Sequence, residues 1–451
     1  MKHSRRDLLR YGACGLLGRA AFISGFDRFS LISAMAAPAA VPVDYKALVC
    51  IFMFGGNDSN NTVISLDNYT RYATSRGILA LPQAQLLPIS PKSGGNYGLH
   101  PNLTGLQPLF QSKALAILCN VGTLTAPIQK ADYRAGTHPY QLFSHSDQQA
   151  QWQTSISTSN SPSGWGGRMS DATQDAATGF PTICSIAGVS VFTVGARTQP
   201  IAIAAAPTPL NQTLRLVQPD GAISWIPTID QSSTSPTLVS ASANLTRFAL
   251  NNSGLLSTNP TITTPFPNTG LANQLLQVAK MISVSSSLGL RRQIFFCSIG
   301  GFDTHTVQLS TQMNLLQQLG DAMAAFYKAT VDLGISSKVT TFTLSDFSRT
   351  FTPAGTVATT VGSDHAWGSH QFVMGDSVLG GDIYGAFPDL VVGGNRDTDT
   401  GTGARGRWIP TTSVDEYAST LALWYGLSNS DLAIAFPNIG VFPTSNLGFM
   451  M

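Results

Sequence analysis

The run ALVCIFMF, Ala47 to Phe54, passes straight into GGND, Gly55 to Asp58. Its apolar residues are continuous rather than alternating. That predicts a strand buried on both faces, as in a parallel sheet covered by helices. The same kind of run returns at Ala114–Val121, Thr182–Gly188, Gln293–Ile299, Val339–Leu344 and Gln371–Met374. Helical spacing or start signals lie between and beyond these runs, at Asn68–Ser75, Asn102–Gln111, from Gly164, at Leu271–Ser286, at Val307–Asp332 and at Val414–Tyr425. The longest of these carries Leu309, Met313, Leu316, Leu319, Met323 and Phe326 on one stripe. Strand, loop, helix, strand in this order predicts an α/β sheet.

Two stretches break the pattern. Val189–Trp225 reads as short β-like pieces rich in Thr, Pro and Ala, and Asn251–Asn268 as a Pro/Thr/Asn-rich loop, so 189–268 is expected to be a β-rich insertion and linker. At the N-terminus, Ser4-Arg5-Arg6-Asp7-Leu8-Leu9-Arg10 resembles the twin-arginine export motif. A modestly apolar segment, Tyr11–Met35, follows, and Ala34-Met35-Ala36 suits signal peptidase. Residues 1–37 are thus expected to be removed as a signal, and 38–451 to form a single domain. The expected location is the bacterial periplasm or the exterior, with the twin-arginine translocase as a transient partner. That route carries folded proteins, often with a metal already loaded, which directs attention to metal ligands.

The chain of 451 residues has formal charge +2 and no basic stripe, so it lacks the electrostatic footprint of a nucleic-acid partner. No apolar run in the mature chain is long enough to span a bilayer. Cys50, Cys119, Cys184 and Cys297 lie in or beside the apolar runs, without CxxC spacing, and read either as disulfide partners or as buried thiols.

Charged residues make up 11% of the chain, against roughly a quarter in ordinary globular proteins. Carboxylates and imidazoles nevertheless gather where the strands end, at the edge where α/β sheets bind ligands. Asp58 follows the first run, Asp303 and His305 follow Ile299, and Asp346 with Arg349 follows Leu344. Asp364, His365 and His370 come soon after, in SDHAWGSH. Oxygen and imidazole donors on separate rigid strand ends are what a divalent ion requires. Each residue also has a plainer reading. Asp58 suits a helix cap, Asp303 and His305 a turn, Asp346 and Arg349 an ion pair, Asp364 an orienter of His365, and His370 an ordinary strand histidine.

The motifs GGND (55–58), SH (144–145), GWGGR (164–168), GGFDTH (300–305), SDFSRT (345–350) and SDHAWGSH (363–370), with GRWIPTTSVDEYASTLALWYGL (406–427), resemble the domain-of-unknown-function 1501 family. The resemblance implies an alkaline phosphatase-like fold shared with sulfatases: a mixed, mostly parallel sheet between helices, with one or two divalent ions (Zn, Mg, Ca or Mn). It implies metal ligands at Asp58, Asp303, His305, Asp346 and His365, with His370 and Asp364 as further candidates. In a competing alignment Asp364 and His365 form the family's Asp-His pair. In the preferred one Asp346 takes the pair's Asp, and Phe347 stands where its His would be. Ser144, His145 and Arg349 are the candidate catalytic residues, with Ser144 about where the superfamily nucleophile opens a helix. No C-x-P-x-R sequence is present, which excludes the formylglycine of ordinary sulfatases.

The function expected is hydrolysis of a phosphate or sulfate ester, on a small molecule or a polymer. Phe347 motivates an alternative, a non-catalytic metal-binding or envelope-assembly protein. The β-rich insertion motivates a third, an envelope-polymer or carbohydrate-binding module.

Overall fold

The computed structural model describes residues 44–173, 180–198, 200–213, 256 and 258–451. The expected export signal therefore lies outside the described residues, as does most of the expected insertion.

Among the described residues the strands in chain order are β1 (Lys46–Met53), β2 (Val63–Ser65), β3 (Leu87–Ile89), β4 (Tyr97–Leu99), β5 (Leu115–Gly122), β6 (Ile183–Ser185), β7 (Ile201–Ala202), β8 (Arg292–Ile299), β9 (Val339–Ser345), β10 (Ser369–Met374), β11 (Ile383–Tyr384) and β12 (Thr412–Ser413). Nine of them form one sheet, in the order β11-β5-β10-β9-β1-β8-β6-β7 with β12 also on β5. The β1 backbone is parallel to both β8 and β9, in unbroken register from Ala47 to Met53. Only β10 runs against its neighbours, pairing antiparallel with β5 and β9. The sheet is therefore mixed and mostly parallel, as expected.

The two faces of β1 explain its unbroken hydrophobicity. Ala47, Val49, Ile51 and Met53 pack into one core with the helices Gly270–Ser283 and Gln308–Asp332. Leu48, Cys50 and Phe52 pack into a second core with the helices Trp165–Thr173, Val414–Tyr425 and Asn429–Ala435. Period-two side chains on a strand with helices on both sides need apolar residues everywhere. The four cysteines are buried and free.

One detail differs from the sequence reading, in the helix Gln308–Asp332. A small antiparallel sheet, β2-β4-β3, lies in 63–99. The described part of 189–268 carries one strand, β7, which extends the main sheet beside β6. In the helix Gln308–Asp332, Met313 is exposed while Gln308 and Gln312 are buried. The first turns of that helix face a polar interior: Gln308 Nε2 donates to Asp58 Oδ2 at 2.5 Å, and Gln312 Nε2 to the Asp58 carbonyl at 2.7 Å. An apolar stripe would have left Asp58 without those donors.

Candidate metal centre

The strand directions bring the C-terminal ends of β1, β8, β9 and β5 and the start of β10 to one edge of the sheet. The loops leaving β8 and β9, the loop entering β10 and the helix His145–Thr154 all supply side chains there.

At the centre lies Asp303. Its Oδ1 is 3.3 Å from His145 Nε2, 3.2 Å from His305 Nε2 and 3.5 Å from His365 Nε2. The two imidazole nitrogens of His305 and His365 are 2.9 Å apart. Donor atoms of His145, Asp303 and His365 all lie within 4.8 Å of one another. Ligands held tetrahedrally at the zinc–nitrogen distance of about 2.0–2.1 Å are about 3.3 Å apart, so the donors of His145, Asp303 and His365 fit one ion, with His305 Nε2 beside Asp303 and His365.

Each imidazole uses its other nitrogen on an acceptor. His145 Nδ1 donates to Asp346 Oδ2 at 2.7 Å, His365 Nδ1 donates to the Phe143 carbonyl at 2.7 Å, and His305 Nδ1 lies 3.4 Å from Asp364 Oδ1. Because a carbonyl can only accept, Nδ1 of His365 carries the proton and its Nε2 keeps a lone pair. This is how metal-bound histidines are ordinarily oriented. His145 Nε2 is buried and faces Asp303 Oδ1 at 3.3 Å. The donors of His145, Asp303 and His365 therefore fit a metal ion.

Neighbouring charges and burial shift the protonation of the group. The hydrogen bond to Asp346 raises the pKa of His145, outweighing the opposing effect of burial. Burial would raise the Asp303 carboxyl, but the hydrogen bond and charge of Arg349, with His145 and His305, hold it below its ordinary value. Burial lowers the pKa of His365 and keeps the ring neutral, against the opposing hydrogen bond to the Phe143 carbonyl. Phe347, wholly buried, closes the back of the site, with its ring centroid 4.8 Å from that of His145 and 4.6 Å from that of His365. Gly56 leaves room for it, since a Cβ there would lie 2.5 Å from the Phe347 ring.

The sequence-derived candidates thus separate. Asp303, His305 and His365 come together, joined by His145, which the sequence offered as a catalytic residue. Asp346 is fully buried and stands behind His145, where it also accepts from Gly55 N–H at 3.2 Å and Gln149 Nε2 at 2.8 Å. Asp364 contacts His305, and Arg405 Nη2 lies 3.3 Å from its other oxygen. Arg349 is paired with Asp303 at 2.8 Å rather than with Asp346. Asp58 is not brought to the group: it caps the helix Ser59–Thr62 and forms a fully buried ion pair with Arg76. Nor is His370, whose Nδ1 accepts from Asn120 N–H at 3.1 Å, whose ring packs on Phe387, and whose pKa burial lowers to about 3. The Ser144 hydroxyl donates to Asp147 Oδ2 at 2.6 Å.

The sequence reading passed over Phe143, Gln149, Arg405 and Arg407. Arg407 Nε donates to the His365 carbonyl at 2.8 Å. These residues lie on loops and on a polar helix and share no periodic pattern with the strand ends.

Residues 256–399 match the family described as "Protein of unknown function (DUF1501)", a span that includes Asp303, His305, Asp346 and His365 but not His145. No curated protein matches the chain. Among solved structures, the PsFucS1 sulfatase from Pseudoalteromonas sp. is similar at 9% identity and TM-score 0.34, covering 86% of this chain and 68% of its own. The lipoteichoic acid synthase LtaP from Listeria monocytogenes is similar at 7% identity and TM-score 0.29, covering 85% of this chain and 79% of its own.

Proposed function

We propose that the protein is a hydrolase of phosphate or sulfate esters that works with a single zinc-class ion held by His145, Asp303, His305 and His365. The observation that carries this reading is the convergence of three imidazole Nε2 atoms on Asp303 Oδ1, each ring held from behind by its own acceptor. When bound, such an ion supplies Lewis acidity toward an anionic ester oxygen and lowers the pKa of a water molecule. Arg349 keeps Asp303 ionised, Asp346 and the Phe143 carbonyl orient two of the rings, and Phe347 keeps water away from their buried side. A water oxygen bonds to phosphorus or sulfur as the ester P–O or S–O bond breaks. One water proton leaves with the alcohol and the other passes to solvent. Water is the nucleophile in this reading because the Ser144 hydroxyl is turned to Asp147. One ion rather than two is proposed because Asp58 is paired with Arg76 and the family resemblance puts Phe347 where a further histidine ligand would stand.

Protein freed of metal and given Zn²⁺ is expected to take up about one equivalent and to hydrolyse aryl phosphates or aryl sulfates. Asp303→Ala should lose both properties. Unchanged turnover in Asp303→Ala, or no ion bound by the wild type, would overturn the proposal. Phe347 and the engaged Ser144 hydroxyl favour a second reading, an ion held without turnover. One equivalent of zinc with neither ester cleaved would establish that reading instead. The twin-arginine motif at Arg5-Arg6 supports export to the periplasm or beyond. Fractionation of cells carrying Arg5→Lys with Arg6→Lys should leave the protein unprocessed inside.

A further inference from the structure

The segment just before the helix His145–Thr154 is strained. Gln141 and Phe143 both have positive φ, +47° and +75°. For an aromatic residue this is a sparsely populated conformation costing on the order of 1–3 kcal/mol, kept only where the surroundings impose it. Phe143 packs against the cluster of Leu124, Ile128, Trp367, Ile409 and Phe442, and two further contacts tie it to the site. Its carbonyl accepts the His365 Nδ1–H at 2.7 Å, and the Arg407 guanidinium lies over its ring at 5.3 Å from the centroid. The same Arg407 donates from Nε to the His365 carbonyl at 2.8 Å and is anchored by Asp399 at 2.8 and 3.0 Å. Phe143 and His365 are thus gripped by one arginine, at the backbone of one and the ring of the other.

We infer that Phe143 is a positioning residue whose left-handed backbone aims its carbonyl at His365 and so fixes the imidazole tautomer that the metal centre uses. The inference rests on the proposed centre. It adds that His365 is set by a strained main-chain carbonyl, in contrast to the carboxylates facing His145 and His305. It also ties two ligands together, because the chain runs from Phe143 through Ser144 directly to His145. A carbonyl adds no formal charge, so the His365 ring is oriented without a second buried carboxylate.

Two substitutions separate backbone conformation from packing. Glycine adopts positive φ freely and so preserves the carbonyl direction while deleting the ring. Valine keeps apolar bulk but disfavours positive φ. In Phe143→Gly the Zn²⁺ affinity should stay within a few-fold of wild type. In Phe143→Val it should fall by about 10–100-fold, the usual cost of losing a group that orients a metal ligand. The second readout is made without metal. In ¹⁵N-histidine-labelled protein, with His365→Gln assigning the resonance, His365 should be the Nδ1–H tautomer in wild type and Phe143→Gly, and a mixture in Phe143→Val. Equal losses of affinity in both variants, or a His365 tautomer unmoved in Phe143→Val, would overturn the inference and leave Phe143 as packing alone. If the wild type binds no zinc, the proposed function falls, and the tautomer measurement still decides this inference.

Discussion

Histidines in this chain are distinguished by what each Nδ1 touches. His145 and His365 donate from Nδ1 and present Nε2 to Asp303, whereas His370 accepts at Nδ1 from a backbone N–H and sits neutral in the core. For the first kind, the partner behind the ring should matter nearly as much as the ring itself. Asp346→Asn, which keeps the shape but not the charge, is predicted to weaken Zn²⁺ binding by about 10–100-fold by titration calorimetry. For the second kind the consequence is pH-dependent stability. The pKa of His370 is lowered from 6.5 to about 3 on folding, so the unfolded chain binds the extra proton first. Its stabilising contribution is whole above about pH 6.5 and is lost as pH falls toward about 3, at about 1.4 kcal/mol per pH unit. His370→Gln should flatten the acid side of a urea-stability profile by that slope, and a profile parallel to wild type would contradict the assignment.

At the scale of elements, the turns after strands fix the site. Gly55, at φ +112°, leaves no room for a side chain: a Cβ there would meet Asp303 N at 2.3 Å. Gly55→Ala should therefore push the Asp303 turn away, destabilising the fold by about 1–3 kcal/mol or more and reducing zinc uptake, both measurable on one preparation. This level is also where the sequence was most and least informative. β1, β5, β8 and β9 were legible because strands covered on both faces are apolar throughout, and the residues just past β8 and β9 lie in the cluster. His145 could be named but not placed. Its helix, HSDQQAQWQT, has no apolar stripe to show which face turns inward, and its distance from Asp303 depends on the fold between them. Asp58 ends an apolar run as a ligand would, but its partner Arg76 lies 18 residues on, beyond any local pattern. Met313 was placed on a buried stripe because a helical period cannot reveal that the opposing surface is polar.

At the scale of the whole molecule, the sheet gathers charge at one edge, and the chain handles it in two ways. Asp303 is left half exposed, at 47% of its side chain, among imidazoles, while Asp58 is sealed with Arg76 beneath Gln308. The second arrangement is a fixed part of the fold. Arg76→Met would strand the buried carboxylate and should cost about 3–5 kcal/mol in denaturant unfolding, while leaving zinc stoichiometry unchanged in the folded fraction. Among the described residues no helix is long and apolar enough to cross a membrane.

The most direct measurement is zinc-edge X-ray absorption on protein loaded with one equivalent of Zn²⁺. The account predicts a first shell at about 2.0–2.1 Å with the multiple-scattering signature of three imidazoles, falling to two in His145→Ala. An oxygen-only shell, a sulfur shell, or a spectrum unchanged by removing His145 would contradict it.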